Sequence, residues 1–109
     1  MHNKSVLALI VIGISVILVL ALYTFPTFLI IFLLVLAYAK KNFSPIKKEF
    51  MIFTLIVFSS AIVEIILVNM TQAWSYANAQ FFGIPFWPPI FWGLLGTSLI
   101  TFYEGISKS

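Results

Sequence analysis

Cysteine, aspartate and arginine do not occur in this chain, and histidine occurs once, at His2. The lack of Cys excludes disulfides, thiolate metal sites and cysteine nucleophiles. A single terminal His leaves no His-rich metal site and no catalytic triad, and there is no Gly-rich strand-to-helix turn to cradle a phosphate. Charge is scarce too: six Lys and three Glu make up 8% of the 109 residues, against 62% hydrophobic. No catalytic residue, metal or cofactor is assigned, because the acid–base groups left near the one candidate site are Glu64, Tyr76 and, remotely, Glu104.

What is present is apolar. A mean hydropathy of +1.15 lies far outside the soluble range and implies an integral membrane protein. Residues 1–109 leave room for one transmembrane domain and no soluble one. The six lysines fall at the ends of apolar segments, so they read as topology signals rather than a nucleic-acid surface, and no nucleic-acid partner is expected.

Apolar residues run almost unbroken from Ser5 to Ala39. The first part is longer than a secretory signal core and ends in Tyr23-Thr24-Phe25-Pro26, with no small-x-small cleavage site, so a retained helix over about 5–23 is expected. Gly13 and Ala21 share a face of it, which reads as lipid-facing, with close helix packing the alternative. Pro26 lacks an N–H and biases Phe25 away from helix. One helix over the whole run would extend roughly 52 Å, beyond a hydrocarbon core of roughly 30 Å. A hairpin with a second span at 26–43, Lys40 and Lys41 snorkelling at its end, fits better than one kinked helix. Lys40, Lys41, Lys47 and Lys48 bracket a short connection around Pro45, which the positive-inside rule places in the cytoplasm together with both termini.

A third span is expected at 50–70, and its charged residue is Glu64. Ser60 and Glu64 are one turn apart, and Thr71 extends that face into a narrow polar strip. An ionised carboxylate at mid-membrane costs about 2.5 to 3.5 kcal/mol on the insertion scale for Asp, which makes Glu64 a candidate for ligand or proton chemistry. The competing reading, which carries more weight, is a structural polar contact with Trp74, Tyr76 or a helix of another chain. Between Trp74 and Trp92 the sequence places eight aromatics and three prolines with no charge, an aromatic outer loop that suits the headgroup region or, alternatively, walls a lipophilic pocket. Trp74, Tyr76, Trp87 and Trp92 are its candidate ligand-facing residues.

A fourth span at 89–106 carries Gly93, Thr97, Thr101 and Glu104 along one face, a small-residue packing stripe whose nearest neighbour would be the Ser60 and Glu64 face. Glu104 stands four residues before Lys108, a favourable spacing for an ion pair within one helix. The expected fold class is therefore all-α: a polytopic membrane protein of four transmembrane helices in two hairpins.

The order Glu64, Trp74-x-Tyr76, Gly83, Pro85, an aromatic helix and Tyr103-Glu104 resembles the repeat of the small membrane-embedded lycopene cyclase subunits of carotenoid synthesis, over residues 64–104. The resemblance implies short paired subunits in which an acidic helix residue and a Pro-Leu-Glu-Glu segment protonate an isoprenoid double bond. The matching segment here, Pro85-Phe86-Trp87-Pro88, holds neither carboxylate, so Glu64 and the aromatic wall are what carry over. The expected function is a non-catalytic subunit of a larger membrane complex or a lipophile-binding module, with an isoprenoid-modifying membrane enzyme as the alternative. Its expected partners are the lipid bilayer and other membrane subunits or further copies of itself.

Overall fold

The computed structural model describes residues 3–71 and 86–107, except for the side chain of Asn3. The described residues form four α-helices and no strand: α1 (Asn3–Leu22), α2 (Pro26–Phe43), α3 (Glu49–Thr71) and α4 (Trp87–Ser107). The helix α4 starts at Trp87 rather than at Pro89, which puts Pro88 and Pro89 in its first turn, where a missing N–H leaves no bond unmade.

Pro26 separates α1 from α2. The backbone of Phe25 is extended, with φ −122° and ψ 71°, and Pro26 opens α2. The Phe25 N–H donates to the Leu22 carbonyl at 2.8 Å, and the Phe25 carbonyl accepts from the Leu29 N–H at 3.0 Å, so both helix ends are closed within three residues. The long apolar run is thus two helices. At the far end of α2 the Ser44 N–H donates to the Lys40 carbonyl at 2.8 Å, and Pro45 stops further winding. Lys48 then takes a left-handed backbone, φ 57°, that turns the chain into α3, a conformation that costs a residue with a Cβ roughly 1–2 kcal/mol.

The helix α4 packs against α1, α2 and α3, whereas α3 packs chiefly against α4. What makes this possible is side-chain size. The buried residues of α4 are Pro88, Pro89, Gly93, Leu94, Thr97, Ser98, Thr101 and Gly105. Their hydroxyls cost little where they are satisfied inside the helix: Thr97 Oγ1 donates to the Gly93 carbonyl at 3.0 Å, and Thr101 Oγ1 to the Thr97 carbonyl at 3.1 Å. The facing stripe of α1 is equally small, with Ser5, Ala8 and Ser15 fully buried. Ser5 Oγ donates to the Phe102 carbonyl at 3.1 Å and ties the two helices together. A Cβ on Gly105 would stand 2.8 Å from the Ser5 backbone nitrogen and closer still to its hydroxyl. On the side facing α3, a Cβ on Gly93 would meet Val57 at 2.7 Å and Phe53 at 2.9 Å, and one on Gly96 would meet Ile56 at 2.6 Å. Leu29 and Leu33 of α2 close the remaining side in an apolar cluster with Leu94. Gly13 has nothing within 4 Å, and Ala21 is exposed; the close-packing face of α1 is the Ser5, Ala8 and Ser15 stripe instead.

By length and composition, three helices can cross a membrane: Lys4–Leu22, Pro26–Phe43 and Glu49–Thr71. The fourth helix is not among them. Most of its Gly, Ser, Thr and Pro residues, from Pro88 to Gly105, are buried against protein, and they lower its hydropathy with few polar groups exposed. Gly105→Ala should lower the stability of the purified protein by about 1–3 kcal/mol, because a rigid backbone atom blocks the new methyl. Gly13→Ala should leave the unfolding midpoint unchanged or slightly raised. Equal midpoints for the two variants would remove the α1–α4 contact from the account.

Candidate functional site

Glu64 stands in the second half of α3 with its side chain 8% exposed. Its position across from α4 is fixed by the contacts of Gly93 and Gly96 with Val57 and Ile56, about two turns nearer the start of α3, which bring the two helices close enough for a tryptophan to bridge them. Trp92 Nε1 donates to Glu64 Oε1 at 2.8 Å. An indole is a donor with no acceptor, so a carboxylate oxygen is a matched partner in an apolar setting. The Trp92 ring lies at 5.5 Å and 59° from that of Phe91, a tilted arrangement that orients the indole, while 42% of Trp92 remains exposed.

Two shallow hollows lie along α3, and one of them reaches this bond. One, about 260 Å³, is lined by Ser60, Val63, Glu64, Leu67 and Trp92. The other, about 410 Å³, is lined by Leu55, Ile56, Ser59, Ser60 and Val63. Because they share Ser60 and Val63, they form one groove along α3, apolar along its length and ending on the Glu64 carboxylate and the Trp92 ring. Ser60 borders the groove, but its hydroxyl donates to the Val57 carbonyl of its own helix at 3.1 Å.

Of the residues picked from the sequence, the structure therefore brings Ser60, Glu64 and Trp92 together. Trp87 goes elsewhere: it packs against the Leu29, Leu33 and Leu94 cluster. Gly93, Thr97 and Thr101 are buried within α4, and the side chains over Gly93 are Val57 and Phe53 rather than Ser60 and Glu64. Trp74 and Tyr76 lie outside the described residues, as does nearly all of the aromatic loop. Among the described residues no group of three or more His, Cys, Asp or Glu could hold a metal ion.

The sequence reading missed a charged cluster at the opposite end. Lys40, expected to snorkel, has a side chain with 0% exposure and donates to Glu49 Oε1 at 3.0 Å. The same carboxylate oxygen accepts the Ile46 N–H at 3.0 Å. The tight turn at Pro45 is what carries Glu49 back to Lys40, where its carboxylate offsets part of the cost of burying the ammonium. The spacing of Lys40 and Glu49 across a proline-containing connection is the signal that could have revealed the pair. Nearby, Lys4 Nζ lies 2.6 Å from Glu104 Oε1, joining α1 to α4. Glu104 thus has a partner a hundred residues away in sequence; Lys108 lies outside the described residues.

Trp92→Phe keeps the ring but removes the donor to Glu64, and it should cost roughly 1–3 kcal/mol in unfolding of the purified protein. Glu64→Gln retains an acceptor for the indole and should cost less. A Trp92→Phe protein as stable as its parent would show that the bond holds nothing in place.

Comparison with protein-family models, with curated proteins and with solved structures finds no match for this chain.

Proposed function

We propose that this chain is a small, non-catalytic integral membrane protein whose working surface is the groove along α3, where it receives an apolar guest: a segment of a neighbouring membrane subunit or a lipophile. All four helices cross the bilayer in this reading. Three are long and apolar enough to do so, and the molecule's long dimension of 43 Å matches the roughly 40–45 Å of a bilayer with its headgroups. The helix α4 crosses in contact with the other three, with Trp92, Leu99 and Tyr103 on its exposed side. Lys4, Lys40, Lys41, Lys47 and Lys48 all belong to one end of the bundle, the end where Lys4 meets Glu104 and Lys40 meets Glu49, and this end faces the cytoplasm with both termini.

The observation that carries the functional reading is the groove itself: an apolar channel, open along α3, that ends on one hydrogen-bonded carboxylate. Ser59 and Ser60 make its floor shallow enough for another helix or a chain to approach closely. Glu64 and the aromatic Trp92 beside an apolar hollow also suit the alternative, an isoprenoid-modifying membrane enzyme with Glu64 as proton donor. The missing second acid is what ranks it below.

A photoreactive side chain at Val63, activated in native membranes, tests this. A discrete protein adduct or a single defined lipophile should form there and not from Ile17, a still more exposed position on α1. Indiscriminate lipid labelling from both positions would sink the reading. Glu64→Gln should leave the Val63 adduct in place; loss of an associated activity with the adduct intact would promote the enzyme alternative.

A further inference from the structure

A second hollow, of about 310 Å³, opens between α2 and α3 and is lined by Leu34, Ala37, Tyr38, Lys41, Glu49, Phe50 and Phe53. It exists because α3 leans on α4 and packs little against α2, although a connection of only five residues joins them. At this volume it reaches the lower end of the roughly 300–1,000 Å³ typical of small-molecule sites. Its wall is apolar from Leu34 to Phe53, and charge gathers at one end.

The charges there are not balanced. Glu49 is matched by Lys40, whose side chain is buried behind it. Lys41 also lines the hollow, and it is exposed, as are Lys47 and Lys48 on the adjoining connection; none of the three forms an ion pair among the described residues. The hollow thus presents an apolar slot with Lys41 at its charged end, and Lys47 and Lys48 stand exposed on the connection just before Glu49, none of the three with a described counter-charge.

We infer that this cleft holds one anionic phospholipid of the surrounding bilayer, with an acyl chain between Leu34 and Phe53 and its phosphate against Lys41, Lys47 and Lys48. The inference rests on the membrane reading given above but not on the α3 groove, which is lined by different residues. Charge complementarity selects an anionic headgroup, and the slot beside it selects a lipid over a free phosphate. Glu49 lines the headgroup end with Lys40 buried behind it, and their mutual neutralisation leaves the field of the mouth positive.

The test is native mass spectrometry of the protein released from nanodiscs of equimolar phosphatidylglycerol and phosphatidylcholine. The parent should retain one phosphatidylglycerol per chain in preference to phosphatidylcholine. Lys41→Gln should lower that preference roughly fivefold, the effect of one cation near an anionic surface. Leu34→Trp, a substitution of an exposed side chain that fills the slot, should abolish retention of either lipid with the unfolding midpoint unchanged. Equal retention of the two lipids by the parent, or retention unaffected in both variants, would overturn the inference. So would a Leu34→Trp protein that changes its oligomeric state, since a second copy would then be what covers the cleft. A chain absent from the membrane fraction altogether would instead defeat the membrane reading on which both proposals stand.

Discussion

Everything in this structure depends on how closely other helices can approach α4. Three helices can surround a fourth only if the inner one presents small side chains on several sides, and α4 does so with Gly93 and Gly96 toward α3 and Gly105 toward α1. Leu94 meets the leucines of α2. Dispersion falls steeply with separation, so contacts at this distance hold helices together even where burial brings no hydrophobic gain, as between helices in lipid. The hydroxyls of Thr97 and Thr101 turn back onto their own helix, which lets them fill space without leaving an unmet polar group. Among the described residues Ser98 Oγ is the buried hydroxyl that finds no such partner.

The same constraint explains the candidate site. A long side chain in place of Gly93 or Gly96 would hold α3 away from α4, and the Trp92 indole would no longer reach Glu64. A groove that ends on a carboxylate is therefore a consequence of glycine contacts about two turns away from it along α3. At the other end, the buried Lys40–Glu49 pair fastens α3 to α2 across the Pro45 turn, while the bodies of those helices diverge and leave a cleft. Breaking such a pair on one side strands a buried charge, at a cost of about 3–5 kcal/mol.

Much of this was legible in the sequence where the signal is local. Pro26 announces the break between α1 and α2, and the apolar runs announce three of the helices. The importance of Glu64 follows from its isolation, but its partner does not: Trp92 is one of three tryptophans, and only the rotation of α4 selects it. The snorkelling expected of Lys40 failed because the turn that returns Glu49 to it is set by Pro45 and by the left-handed Lys48, which composition does not weigh. Gly13 and Ala21 lie on an open face, in keeping with the lipid-facing reading, but the close-packing stripe at Ser5, Ala8 and Ser15 was not foreseen, since serine serves as a small residue once its hydroxyl bonds to a carbonyl.

The central proposal is that α4, the helix not counted among the three candidate spans, nevertheless crosses the membrane, packed against the other three. Single cysteines at Asn42, Asn78 and Ser107 in this cysteine-free chain measure it directly with an impermeant maleimide on intact cells. Asn78→Cys, in the connection before α4, should be labelled from outside, while Asn42→Cys and Ser107→Cys, both exposed positions, should react only after the membrane is opened. Labelling of Asn78→Cys and Ser107→Cys from the same side would mean that α4 does not cross, and would contradict the account.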